Sequence, residues 1–211
     1  MVRKTKEEAE LTRSSILDAA ERLFQLHGVA GTSLQDIAEA AGVTRGAVYW
    51  HFEGKADLFN AMIERVRMPF DETSEAVDNA PAAMAVQRLR EHLAFLLDRT
   101  QGDEQVRRVF SIATQMIEYN GELALVRERR LQWQADHVAM LERALTAARR
   151  AGQVRSTIPV KQVALGLHAL VDGLLQNWLL KPDSFDLKRV GARVLDIYLA
   201  GLAGLPEPKA A

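Results

Sequence analysis

Apolar residues recur at spacings of three and four along almost the whole chain, and strand-like alternation is nearly absent. That period places the chain in the all-α class, because one-sided burial at 3.6 residues per turn is a property of helices. A first helix is predicted from about Glu7 or Thr12 to His27, with Ile16, Ala20, Leu23 and Phe24 on its buried side and Gly28 as its stop. Thr32 opens a short second helix and, with Gln35 three positions on, matches the capping-box pattern. Gly42-Val43-Thr44 reads as a tight turn, in which Gly42 supplies left-handed backbone and Thr44 caps a third helix of about Arg45 to Phe52. A fourth helix begins near Lys55, and Pro69 either kinks it or ends one segment and starts another. Five more follow, at about Ala82–Arg99, Glu104–Tyr119, Glu122–Ala151, Val160–Leu180 and Phe185–Leu202. The total is about nine helices, the first three forming a small head and the rest a larger body. Residues from Gly204 to Ala211 should fray.

Composition narrows the function classes. With 27 Lys+Arg against 28 Asp+Glu, the chain is not a polybasic protein, although a local basic face is still allowed. The absence of cysteine removes disulfide scaffolds, thiolate zinc sites and thiol nucleophiles together. The charged start Met1-Val2-Arg3-Lys4 leads into no apolar core, so a secretory signal is not expected and a cytoplasmic protein is. The apolar stretch Val163–Leu180 carries His168, Asp172, Gln176 and Asn177, which fits a buried or amphipathic helix better than a membrane span.

Two short helices joined by a glycine-containing turn form a helix-turn-helix signature. The third helix carries groups suited to DNA, namely Arg45, Tyr49, Trp50 and His51, with small Gly46 and Ala47 near its start. The run from Thr32 through Asp36-Ile37-Ala38, Gly42-Val43-Thr44-Arg45-Gly46-Ala47-Val48-Tyr49-Trp50-His51-Phe52 to Lys55 and Leu58 resembles the DNA-binding head of the TetR family of transcriptional repressors. The first helix, around Thr12-Arg13-Ser14-Ser15-Ile16-Leu17, resembles that family's pattern too. The resemblance implies a DNA-binding domain over 1–70, a ligand-binding and dimerisation domain over 71–205, and a tail over 206–211. It implies that Thr44, Arg45 and Gly46 enter the major groove, with Arg45 reading guanine O6 and N7. Tyr49, His51 and Lys55 would hold phosphates, Thr32, Ser33 and Gln35 would add contacts, and Trp50 would pack on a sugar edge. Val48 and Phe52 are assigned to the core. Residues 1–55 carry 7 Lys+Arg against 8 Asp+Glu, so DNA binding would rest on a few placed cations; Asp18, Glu21 and Glu39 are expected to face away from the duplex.

In the body, Val171-Asp172-Gly173-Leu174-Leu175-Gln176-Asn177-Trp178 followed by Pro182-Asp183-Ser184-Phe185 resembles the AcrR-type branch of the same family. That branch implies repression of a multidrug efflux operon and release by hydrophobic or amphipathic small molecules. Polar groups are set into apolar faces: His92 near Leu89, Leu93 and Leu96; Thr114 near Phe110 and Ile117; His137 near Leu141. His168, Val171, Asp172 and Leu175 share a face, with Gln176 beside them. An apolar pocket with a few polar groups suits a drug-sized ligand. No His-x-x-x-His pair or carboxylate cluster points to a metal, no cofactor motif is present, and no Gly-x-Ser-x-Gly elbow points to a hydrolase. The stripes Val163, Leu167, Leu170, Leu174, Trp178 and Val190, Val194, Ile197, Leu202 are either core or the surface of a homodimer that pairs two heads on a pseudo-palindromic operator. Two readings stay open beside the efflux repressor: a regulator of another regulon tuned to one metabolite, and a helical enzyme or interaction module that does not bind DNA.

Overall fold

The computed structural model describes residues 6–119 and 121–204. Arg3, Lys4 and the expected fraying of residues 205–211 lie outside them, and Gly204 is the last residue of a helix. Among the described residues there are nine α-helices and no strand. They are α1 (Lys6–His27), α2 (Leu34–Ala40), α3 (Arg45–His51), α4 (Lys55–Asp78), α5 (Ala85–Gly102), α6 (Glu104–Gln115), α7 (Ala124–Arg150), α8 (Val160–Leu180) and α9 (Leu187–Gly204). Their described residues group into two compact units, one from 1–67 with 105–130 and one from 68–104 with 131–211. This differs from a linear division near residue 70, since most of α6 belongs with the N-terminal helices. The chain passes between units within α4, α6 and α7 rather than through loops.

In the first unit, α1 buries Ile16, Leu17, Ala20 and Phe24, whose ring centroid lies 6.4 Å from that of Phe59 on α4. Ile37 and Ala38 of α2 and Val48 of α3 are fully buried, as are Leu58 and Met62 of α4. Gly42 adopts φ 68°, the left-handed value the turn between α2 and α3 requires. The cap of α2 sits one residue beyond the position predicted. Ser33 is the N-cap: its Oγ accepts from the Asp36 backbone N–H at 3.1 Å, and its own N–H donates to the Asp36 carboxylate at 2.8 Å. Thr32 turns inward instead, donating its hydroxyl to the Gly28 carbonyl at 2.9 Å and so closing the end of α1. Helix α4 runs unbroken through Pro69. Helix α6 stops at Gln115, short of the predicted Tyr119. Beyond it, the Tyr119 hydroxyl donates to the Ala113 carbonyl at 3.0 Å, and Arg130 donates to both groups. The Val29 N–H donates to the Met116 carbonyl at 3.0 Å, joining the turn after α1 to the end of α6.

In the second unit, α9 lies against α5. A Cβ on Gly191 would stand 2.3 Å from Leu97 Cδ1, so glycine sets how closely the helices approach. Leu89, Leu93 and Leu97 of α5 and Leu195 of α9 fill the contact. Trp178 of α8 is fully buried and donates Nε1–H to the Phe185 carbonyl at 3.0 Å. By length and composition α8 is the one described helix able to cross a membrane, yet Val163, Ala164, Leu167, Val171 and Leu179 are buried in its unit.

The first unit also buries one charged group. Glu21 is 1% exposed and sits on the apolar face of α1, between Leu17 and Phe24. Arg65 of α4 donates to its carboxylate at 2.6 Å, Gln105 of α6 donates at 3.1 Å, and Arg108 stands at 3.7 Å. Arg65 also holds exposed Asp18 at 2.6 Å. Burial pushes the Glu21 carboxyl above the usual carboxylate range, and Arg65 opposes that rise. Removing Arg65 would strand a buried charge, which costs more than removing both partners. Arg65→Ala should lose about 3 kcal/mol of stability and Glu21→Gln only about 1, with the double variant well short of the sum, as read by chemical denaturation.

Candidate functional site

Helix α3 is held from below and free above. Val48 is fully buried and Phe52 is 2% exposed, as their assignment to the core requires. Arg45, Gly46, Tyr49 and Trp50 are exposed. Thr44 caps the helix by accepting from the Ala47 N–H at 3.1 Å. One turn apart, Arg45 donates to the Tyr49 hydroxyl at 3.2 Å, and its guanidinium carbon lies 5.5 Å from the Tyr49 ring centroid. This contact limits the rotamers of a long cation, so less freedom remains to be lost on binding. Trp50 is 73% exposed and meets the His51 ring edge-on at 4.5 Å. His51 and Lys55 are half-buried. Beside α3, Gln35 is exposed and donates to Glu39 at 2.8 Å, and the exposed Ser33 is engaged with Asp36. Thr32 has no such surface. It is 2% exposed and its hydroxyl is spent on Gly28, so its expected role as a contact residue is corrected to a structural one.

The second unit contains a different arrangement, a row of three imidazoles from three helices. His92 of α5 places Nε2 3.4 Å from His137 Nε2 of α7. His137 places Nδ1 3.1 Å from His168 Nδ1 of α8. The other end of the row is Thr73 of α4, whose Oγ1 lies 2.8 Å from His92 Nδ1 and donates to the Phe70 carbonyl at 3.0 Å. His137 gives its two ring nitrogens to two different neighbours, so the row is a hydrogen-bonded chain and the rings do not converge on one point. Burial holds His92 down at about 4 and His137 at about 3, the latter also through its neighbouring histidines. Burial lowers His168 too, against the opposing pull of Asp172. All three rings are therefore neutral near pH 7.

The second unit also holds many of the residues singled out in the sequence. Leu89, Leu93, Leu141 and Val171 are buried in the second unit, and Leu175 is nearly so. Leu96 is half-buried, as is Asp172, which accepts from the exposed Gln176. Phe110, Thr114 and Ile117 belong to the first unit; Thr114 donates to the Phe110 carbonyl at 2.8 Å, and Ile117 lies past the end of α6. Sequence reading placed each histidine on a buried face but did not foresee that they touch. Thr73 was missed altogether; its only signal was a hydroxyl residue inside a helix shortly after Pro69.

The histidine row makes stability depend on pH. Unfolding lets each ring protonate at its ordinary 6.5, whereas the folded His92 and His137 do so only near 4 and 3. The unfolded state thus binds more protons below pH 6.5, and stability falls as pH falls. Asp36 and Asp196, held low by Ser33 and Arg90, start from 3.8 and add their loss at lower pH. The thermal midpoint should drop between pH 6.5 and pH 4, His92 and His137 each contributing at most about 1.4 kcal/mol per pH unit, and His92→Asn should flatten that slope.

Comparison with known proteins places both regions. Residues 16–62 match the profile of bacterial regulatory proteins of the tetR family, and residues 85–203 match the C-terminal region of MAATS-type transcriptional repressors. The transcriptional regulator TtgR of Pseudomonas putida is 38% identical over 187 residues, 89% of each chain. The crystal structure of NalD, the secondary repressor of the MexAB-OprM multidrug efflux pump in Pseudomonas aeruginosa, superposes with a TM-score of 0.85 at 35% identity, covering 93% of this chain and 98% of that one. A complex of triclosan with SmeT, the repressor of a Stenotrophomonas maltophilia multidrug efflux pump, gives 0.80 at 35% identity, covering 94% and 100%. The head with its exposed α3 and the helical body that follows both find their counterparts there, and the chain belongs to the TetR family of transcriptional repressors.

Proposed function

We propose that this repressor controls a multidrug efflux operon, binds its operator as a homodimer in the cytoplasm, and is released by apolar or amphipathic small molecules. The observation that carries the DNA-binding part is α3, exposed along one side and anchored by Val48, with Arg45 steadied by Tyr49. Thr44, Arg45 and Gly46 enter the major groove; Tyr49, His51 and Lys55 hold the backbone, with Ser33, Gln35 and Trp50 at the margin. The efflux assignment is supported by the roles of NalD and SmeT as efflux-pump repressors, and the small-molecule assignment by the SmeT complex with triclosan. The ligand is received among Leu89, His92, Leu93, Leu96, His137, Leu141, His168, Val171, Asp172 and Leu175 of the second unit, with Gln176 a further candidate. A ligand shifts operator affinity only if it binds one conformation better than the other.

The pairing surface is narrower than the two stripes seen in the sequence. Val163, Leu167, Trp178 and Leu202 are buried within the chain and cannot face a partner. Exposed Leu165 (54%) and Ile197 (73%), with half-buried Leu170, Leu174, Val190 and Val194, form the apolar surface of α8 and α9. A second copy covering it would set the spacing of two reading helices.

Two tests follow. Arg45→Ala should lose about 1–3 kcal/mol of discrimination between operator and random DNA, whereas Lys55→Ala should weaken binding to both alike. Equal losses for Arg45→Ala would remove its base-reading role. The protein should sediment at about twice its chain mass, and Ile197→Asp should yield monomers with little operator affinity. A monomeric parent protein would contradict the dimer.

A further inference from the structure

The histidine row carries more information than its positions alone. A neutral imidazole has one N–H and one lone pair, so a chain of neutral rings has a direction, and each bond fixes the next. Thr73 sets that direction, because its hydroxyl has a single proton. That proton goes to the Phe70 carbonyl at 3.0 Å. Thr73 Oγ1 then accepts from His92 Nδ1–H, His92 Nε2 accepts from His137 Nε2–H, and His137 Nδ1 accepts from His168 Nδ1–H. Four hydrogen bonds are made. In the reverse direction Thr73 donates to His92, the Phe70 bond is lost, and three remain. The first arrangement leaves a bare lone pair on His168 Nε2, which has no partner among the described residues.

We infer that the second unit recognises a neutral, apolar molecule bearing a hydroxyl group, whose O–H donates to His168 Nε2 at the end of a proton-ordered chain running from Thr73. This rests on the reading of that region as the ligand pocket and names the chemistry the pocket selects. The surroundings agree on sign. His168 is half-buried, with Asp172 one turn away as a second acceptor and buried Val171 and Leu175 on the same helix. A carboxylate or phenolate would meet a lone pair and a negative charge. An ether of the same shape would bring a second lone pair against the first. The low proton affinity of the rings keeps the chain neutral, and so ordered, across the physiological range. Reversal of the chain, which would turn His168 Nε2 into a donor, costs the Thr73–Phe70 bond; Thr73 is thus a positioning residue acting through three rings.

The test uses the full-length protein and needs no knowledge of the natural ligand. Long-range nitrogen–proton spectra of the imidazoles report which nitrogen of each ring carries the proton. The expected pattern is Nδ1–H for His92 and His168 and Nε2–H for His137. Binding is then compared for 4-phenylphenol, its methyl ether and 4-phenylbenzoate. The phenol should bind about tenfold tighter than the ether, one hydrogen bond's net worth, and the benzoate weakest. His168→Phe should abolish the preference while retaining both neutral compounds. Thr73→Val should scramble the tautomers and shrink the preference without touching the ligand's own contact. The opposite tautomer pattern, or equal binding of phenol and ether to the parent protein, overturns the proposal and leaves the pocket reading standing. Failure of all three compounds to perturb the histidine signals overturns both. Should a variant not fold, the parent protein's tautomers and its phenol-to-ether ratio decide the matter alone.

Discussion

The buried carboxylate of Glu21 is the constraint around which the first unit is organised. A charge that is 1% exposed must be answered, and it is answered by Arg65 of α4 and by Gln105 and Arg108 of α6. Those partners bind α1, on which α2 and α3 pack, to the first-unit parts of α4 and α6. Hydrophobic burial would tolerate a range of small shifts between these helices. A charged, geometrically demanding bond does not, so the reading helix inherits its position from α4 and α6. The Val29–Met116 backbone bond adds a second tie between the turn after α1 and the end of α6.

The two units solve the cost of buried polarity in opposite ways. The first keeps a charge and surrounds it with cations. The second keeps three titratable rings neutral and joins them in a row, each ring donating its one N–H toward Thr73. The first solution is rigid and suits an anchoring point. The second stops at an open acceptor and suits recognition of a neutral molecule.

How much of this was legible in the sequence follows from what periodicity can and cannot encode. The helices and the left-handed turn at Gly42 are legible in spacing and turn chemistry, because each is a local property, whereas the inward placement of Val48 and Phe52 follows from the family resemblance. The cap of α2 was misplaced by one residue: Thr32 and Ser33 both carry hydroxyls with a suitable group three positions on, and only the closure of α1 decides which turns outward. Glu21 was expected to face away from DNA. Its spacing from Leu17 and Phe24 did place it on the buried face, and a carboxylate there was the overlooked signal. The apolar stripes of α8 and α9 mixed two surfaces, since periodicity marks a face as apolar without saying whether its cover is the same chain or another. The histidine row was beyond reach for a related reason. Each ring's burial is written locally, but their contact depends on how three helices meet.

The central claim is that one small molecule and the operator compete for the conformation of this repressor. Such coupling is reciprocal. Operator affinity, measured on DNA from upstream of the gene with and without saturating triclosan, gives one ratio; triclosan affinity with and without saturating operator gives the other. The account predicts that both ratios are the same and exceed about fivefold. Operator affinity unchanged while triclosan is bound would contradict it.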